Sequence, residues 1–232
     1  MKNSRTICLL IFIGFCQVAL LHAQTIRLSF IPKYGDKAML LSDSAFKAND
    51  STDLEIAELK FYVSNMQLLK NGEVVFTEGN SFHLLDAKQA QTLQLSMDTK
   101  QPITFDELKF DLGIDSSSNV SGAMGGDLDP TKGMYWTWQS GYINFKLEGR
   151  SKHCETRNKE YQFHLGGYQS PNSCLQTLRF QVDNPNRIAL ILNVKAILDK
   201  LDLAKTNHIM SPCTEAVMLS QMVANAFKVS KN

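Results

Sequence analysis

Lys132 to Gly149 reads Lys-Gly-Met-Tyr-Trp-Thr-Trp-Gln-Ser-Gly-Tyr-Ile-Asn-Phe-Lys-Leu-Glu-Gly and carries both tryptophans of the 232-residue chain. Tyr135, Trp136, Trp138 and Tyr142 crowd into this one short stretch. That is more aromatic surface than one strand needs to close a core, and aromatic side chains at such density form the wall of a site. The plainer alternative is a sandwich strand with Trp136 and Trp138 filling one face and Tyr135 and Tyr142 covering the other.

Immediately upstream, Ile114 to Gly133 is rich in Ser, Gly, Asn and Asp and contains Gly125-Gly126-Asp127-Leu128-Asp129-Pro130. A structureless stretch this long inside a compact domain is usually functional. It runs directly into the aromatic strand and is expected to roof whatever site the tryptophans wall.

Farther out, the chain is mostly period-2. Ile26, Leu28 and Phe30 alternate with Arg27 and Ser29 from Thr25 to Ile31, and Pro32 is expected to end that strand. In Leu54 to Leu69, Leu54 and Ile56 share one register and Leu59, Phe61 and Val63 the other, so the slip predicts a bulge near Ala57 and Glu58. Asn71-Gly72, between Leu68-Leu69 and Val74-Val75-Phe76, is a hairpin turn signal. Further short strands are expected at Ser81–Asp86, Thr92–Met97, Phe105–Leu112, Tyr161–Leu165, Thr177–Val182 and Ile188–Val194. The period then changes. Ser211-Pro212 starts a helix along which Ala216, Val217, Leu219, Met222, Val223, Ala226 and Phe227 recur at three- and four-residue spacing, and Ala196 to Leu203 carries a weaker helical pattern. Strands first and helices late specify an all-β fold, an antiparallel β-sandwich with a C-terminal amphipathic helix.

Residues 1–23 have the form of a secretory signal: Lys2 and Arg5, then an apolar run from Ile7 to Leu21, then Leu21-His22-Ala23 before the cut. A lipid anchor at Cys16 is disfavoured by the bulky Phe15 before it. The mature domain is expected to span residues 24–232 and to be periplasmic or secreted, with no later run long enough to span a membrane. Of 24 Lys and Arg, two leave with the signal, so 22 face 23 Asp and Glu at a net charge of −1. That balance attracts neither nucleic acid nor an anionic membrane. Cys154, Cys174 and Cys213 remain, an odd number for an oxidising compartment. A Cys154–Cys174 disulfide closing a loop of about 20 residues would contribute roughly 3 kcal/mol, leaving Cys213 as a buried free thiol.

Met134 to Tyr142, with its Trp-x-Trp-Gln-Ser-Gly-Tyr core, resembles the signature of the MbnP-like family of exported bacterial copper-binding proteins. Phe61 to Asn65, His83 to Asp86 and Phe163 to Gly166 are similar to three further family segments in the same order. The resemblance implies copper as the bound metal and a dihaem partner of the cytochrome c peroxidase type. In some relatives a Trp oxidised to kynurenine helps hold the copper; here the candidates are Trp136 and Trp138. Relatives often carry four cysteines, and some carry an Asn-His pair in the loop where this chain reads Ser118-Asn119-Val120-Ser121.

Copper favours imidazole and soft sulfur. His164, in Phe-His-Leu-Gly, is the first candidate ligand, and His83, in His-Leu-Leu-Asp, the second. Weaker options are the His208 and Met210 pair and His153 beside Cys154. Asp115, Asp127 and Asp129 could face Ca²⁺ in the long loop, although their spacing matches no complete Ca²⁺ loop and solvated turns are the simpler account. No Gly-x-Ser-x-Gly elbow, His-Glu-x-x-His helix or phosphate loop is present, so an enzyme is not expected. The competing function is a binding module whose aromatic strand contacts a glycan or a protein, which would need an exposed flat row of aromatic rings.

Overall fold

Period-2 alternation puts Ile26, Leu28 and Phe30 on one side of the strand Gln24–Tyr34, and all three are buried. The opposing wall is built the same way from Phe61, Phe110 and Phe145. Phe30 meets Phe61 and Phe110 edge to face, with ring centroids 6.1 and 5.9 Å apart. The structure, a computed structural model, describes residues 23–41, 44–48, 53–139 and 141–230. The expected signal segment, apart from Ala23, lies outside the described residues.

Two sheets form the sandwich. The smaller runs Phe227–Val229, Arg187–Asn193, Gln24–Tyr34, Lys37–Ala38, with Gln94–Thr99 also paired to Gln24–Tyr34. The larger runs Gln176–Gln181, Glu107–Leu112, Leu54–Lys70, Gly141–Ser151, Glu160–Gly166, His208–Ile209, and shorter segments attach to it. Helix Thr214–Asn225 packs on the core side, burying Ala216, Leu219 and Val223, and leads into the strand Phe227–Val229. No helix among the described residues is long and apolar enough to cross a membrane.

The bulge lies where the alternation slips: Glu148 pairs with Glu58 and Gly149 with Ile56, which leaves Ala57 unpaired. The turn at Asn71-Gly72 has positive φ at both residues, +52° and +84°, as the two-residue hairpin requires. Other expectations need correction. The sheets are mixed, not purely antiparallel, because Arg27–Lys33 pairs in parallel with Arg187–Asn193, and Gln162 and Phe163 pair in parallel with His208 and Ile209. Pro32 does not end its strand; its carbonyl accepts from Met39 N–H at 3.0 Å and the strand continues to Tyr34. The long loop holds a short helix, Ser116–Val120, capped by Asp115, and two 3-10 turns.

The expected Cys154–Cys174 disulfide is absent, and all three cysteines of the described residues are free. The two lie at opposite ends of the strand Glu160–Gly166, since Cys154 bonds Ser151 at one end and Cys174 bonds Gly167 at the other. Seven extended residues span roughly 23 Å, far beyond disulfide reach. Burial pushes the Cys174 thiol up to about 11, against a hydrogen bond with Ser220 that lowers it, and Cys213 interacts with it electrostatically.

Candidate functional site at the aromatic hairpin

The stretch expected as one aromatic strand is two. Tyr135–Trp136 folds back on Gly141–Ser151, pairing Trp136 with Gly141 and Tyr135 with Tyr142. Thr137, Trp138 and Gln139 lie in the turn. The two indoles are thereby separated in environment: Trp136 is 5% exposed and Trp138, at the tip, is 65% exposed. Their rings remain neighbours, with centroids 5.8 Å apart at 44°.

Trp136 packs against Gly166, where a Cβ would sit 2.7 Å from Cζ3 and 2.9 Å from Cη2 of the indole. Glycine is therefore what lets the ring seat on the strand Glu160–Gly166. The buried Nε1–H has no hydrogen-bond partner among the described residues. Around the ring, Tyr62, Met134, Tyr142 and Ile143 belong to a second apolar cluster, distinct from the sandwich core.

Tyrosine hydroxyls fasten the loop over this cluster. Tyr142 Oη accepts Met124 N–H at 3.0 Å and lies 3.2 Å from both Gly122 O and Leu128 O, while Tyr62 Oη donates to Asp127 O at 3.0 Å. Burial raises both hydroxyls above the usual tyrosine range, Tyr62 strongly. Asn119 accepts Tyr142 N–H at 2.8 Å and donates to Ile114 O at 2.9 Å. The loop therefore roofs the hairpin. Its aspartates are occupied: Asp127 holds Lys132 and Leu84 N–H, Asp129 caps Thr131 and Asp115 caps Ser118.

Beside the hairpin, the outer face of the larger sheet carries a ladder of alternating charges. Asp86 lies 3.6 Å from Lys60, Lys60 is 2.9 Å from Glu58, and Glu58 is 3.6 Å from Lys146. Lys146 is then 3.5 Å from Glu148, which meets His164 Nε2 at 2.6 Å. Lys60 and Lys146 also donate to the carbonyls of Lys132 and Gly133, each at 3.4 Å, so the ladder clamps the loop from below. The hydrogen bond from His164, first among several causes, holds the Glu148 carboxyl below its ordinary range. Burial disfavours the Lys60 ammonium, but the hydrogen bonds and charges of Glu58 and Asp86 outweigh it and raise its pKa.

A sequence model of the MbnP family matches residues 23–212. The chain belongs to the MbnP family. A solved structure, MbnP from Methylosinus trichosporium, shares the fold with a TM-score of 0.60 at 15% identity, covering 79% of this chain and 80% of that one. Among curated proteins none matches. The MbnP match takes in the hairpin, the roof and the ladder and ends before helix Thr214–Asn225.

Within this MbnP fold the structure brings together some of the expected residues and separates others. His164 and Gly166 are two residues apart on one strand and share a face, so His164 emerges on the side where Trp136 lies. His83 does not. It pairs with Val63, on the core face, whereas His164 stands across from Lys146 and Lys60 on the outer face. His83 instead bonds Glu78 at 2.8 Å. His153 and His208 are exposed and lie outside the hairpin. Among the described residues no three His, Cys, Asp or Glu side chains converge as a metal cage requires. His164 offers one imidazole, and the Trp136 N–H is a donor that cannot ligate, so these side chains alone do not close a copper site. An exposed row of aromatics is equally missing, because Trp136 and Tyr142 are buried and Tyr135 is half-buried. The charge ladder was legible in principle, since Glu58, Lys60, Lys146 and Glu148 sit at i, i+2 spacing in strands; nothing local announced that Gly166 is a seat for an indole.

Proposed function

We propose that this MbnP-family chain is an exported copper-binding protein, periplasmic or secreted, that takes copper at the face shared by His164 and Trp136. The observation that carries this reading is that His164 stands on the same sheet face as the indole of Trp136, two residues along the strand from the Gly166 against which that indole packs, inside the segment that matches the family. The reading assigns binding, not catalysis, to the chain. Copper needs more than one imidazole, and the missing donors are supplied by oxidation of a Trp of the hairpin to kynurenine, whose amine and carbonyl are ligand atoms that an indole lacks. A dihaem protein of the cytochrome c peroxidase type is the partner that performs that oxidation. His83, on the other face, is left out of the ligand set.

The test is intact mass and metal analysis of protein purified from its own envelope, followed by chelator competition for Cu(I). His164→Ala should weaken copper binding far more than the exposed His153→Ala. Equal affinity of His164→Ala and wild type would remove copper from this face, and recognition of a protein partner through Trp138 would become the better reading.

A further inference from the structure

We propose that the crevice between the hairpin turn and the segment after the strand Glu160–Gly166 is a binding site for a neutral sugar. Its walls are Gln139, Tyr168, Gln169, Ser170, Asn172 and Pro212, around a space of about 400 Å³. That is a size typical of small-ligand sites and admits a mono- or disaccharide. Neither His164 nor Trp136 lines it, so sugar binding and copper binding are separable.

The chemistry of the walls points to the ligand. In a chain that is 20% charged, no Asp, Glu, Lys, Arg or His among the described residues lines this crevice. Cavities elsewhere are walled by ion pairs, such as Asp53 with Lys152 and Glu160 with Arg150. Here the amides of Gln139, Gln169 and Asn172 stand with the hydroxyls of Tyr168 and Ser170, and no other described residue occupies these polar groups. An amide combines an acceptor with two donors, and a hydroxyl is both. Such groups match the vicinal hydroxyls of a pyranose, each of which also donates and accepts. A charged ligand would find no counter-ion, and an apolar one would strip water from five polar side chains without replacing their hydrogen bonds. The half-buried ring of Tyr168, held where a Cβ on Gly141 would lie 3.5 Å from its Cε1, adds an apolar surface for the C–H face of a sugar.

The crevice is also fixed in shape. Cys174 N–H donates to Gly167 O at 3.0 Å and closes the segment into a loop. A Cβ at Gly167 would stand 2.3 Å from Asn172 O and 2.9 Å from Pro212 Cβ, and φ there is +127°. Only glycine lets the loop and Pro212 close on each other in this way. A rigid frame spares the ligand the cost of ordering it, while walls hydrated in the free protein keep affinity for a single sugar unit weak, in the millimolar range.

The experiment uses the mature chain without copper. Maltose, cellobiose, lactose and diacetylchitobiose are screened by saturation-transfer NMR, with sialyllactose as the charged counterpart of lactose. An array of immobilised neutral oligosaccharides distinguishes the terminal unit of a chain from a free sugar. At least one neutral sugar should bind. Gln169→Ala and Asn172→Ala should each weaken it about 2- to 12-fold, the worth of one neutral hydrogen bond, and Tyr168→Ala should weaken it further. Melting curves establish that the variants are folded, and exposed Gln169 is the position least able to disturb the fold. His164→Ala should bind the sugar as wild type does, and Gln169→Ala should keep its Cu(I) affinity, so either site can fail without the other. No binding of any neutral sugar in solution or on the array, tighter binding of sialyllactose than of lactose, or unchanged binding in folded Gln169→Ala and Asn172→Ala would overturn the assignment.

Discussion

Replacing Gly166 by Ala tests the seat on which the candidate site depends. A Cβ at this position would stand 2.6 Å from Tyr142 O and 2.7 Å from Trp136 Cζ3. Ordinary contact begins at 3.4 Å, so the indole must retreat by at least 0.7 Å, the difference between 3.4 and 2.7 Å. Gly166 is not among the positive-φ glycines, so backbone strain does not enter and the cost is overpacking alone. Overpacking of a filled core costs about 1–3 kcal/mol. In a domain of this size each kcal/mol lowers Tm by about 2–4 °C, so Gly166→Ala should melt about 2–12 °C below wild type. A red-shifted emission of Trp136, read in a Trp138→Phe background, should accompany it. Gly79→Ala is the control, because nothing lies within 4 Å of a Cβ there, and it should stay within about 0.5 kcal/mol of wild type. Unchanged melting and unchanged emission in Gly166→Ala would refute the placement of the Trp136 ring against this strand.

Gly72→Val should cost about 1 kcal/mol or more through strain at φ +84°, since open space surrounds the position; thermal unfolding checks it, and copper affinity should not change. Glu148 has a carboxyl pKa lowered in the folded state, first by its His164 hydrogen bond, so its contribution is complete above the unfolded value near 4.3 and is lost as pH falls through the lowered native one. Glu148→Gln should therefore flatten the acid limb of the stability–pH curve measured by urea melts between pH 7 and pH 3. Peptide mapping without reduction should find no Cys154–Cys174 bridge, and any bridge formed by mild oxidation should join Cys174 to Cys213, its neighbour.

Local features of the fold were legible because their causes are local. Ala57 is left over in the pairing because the alternation of Ile56 and Leu59 slips by one, and Asn71-Gly72 turns because few other dipeptides tolerate two positive φ values. The density of aromatic residues did mark a site, but not its shape. Tyr135 to Tyr142 alternates well enough to pass for one strand, and only the pairing of Tyr135 with Tyr142 puts one Trp at a tip and the other under a roof. The face on which His83 points depends on its register against Val63, twenty residues back in the chain, which no pattern within His-Leu-Leu-Asp encodes. The disulfide expectation failed for a related reason: closeness in sequence says little when a strand lies between two cysteines.

The parallel partnership of the first strand also fixes when the chain can finish folding. Gln24 hydrogen-bonds Asn186 across 162 positions, and at synthesis rates of about 5–20 residues per second the second partner follows the first by roughly 10–30 s. During that interval Gln24–Tyr34 can pair on one side with Gln94–Thr99, but its other edge stays open, with Ile26, Leu28 and Phe30 lacking part of their cover. An open edge of apolar strand is a template for association with other chains. Long-range closure of this kind also slows folding relative to hairpin-built sheets. That edge therefore stays open until the last fifth of the chain, from Arg187 onward, is available to pair, and completion of the smaller sheet waits on Arg187–Asn193, not on any of the tight turns.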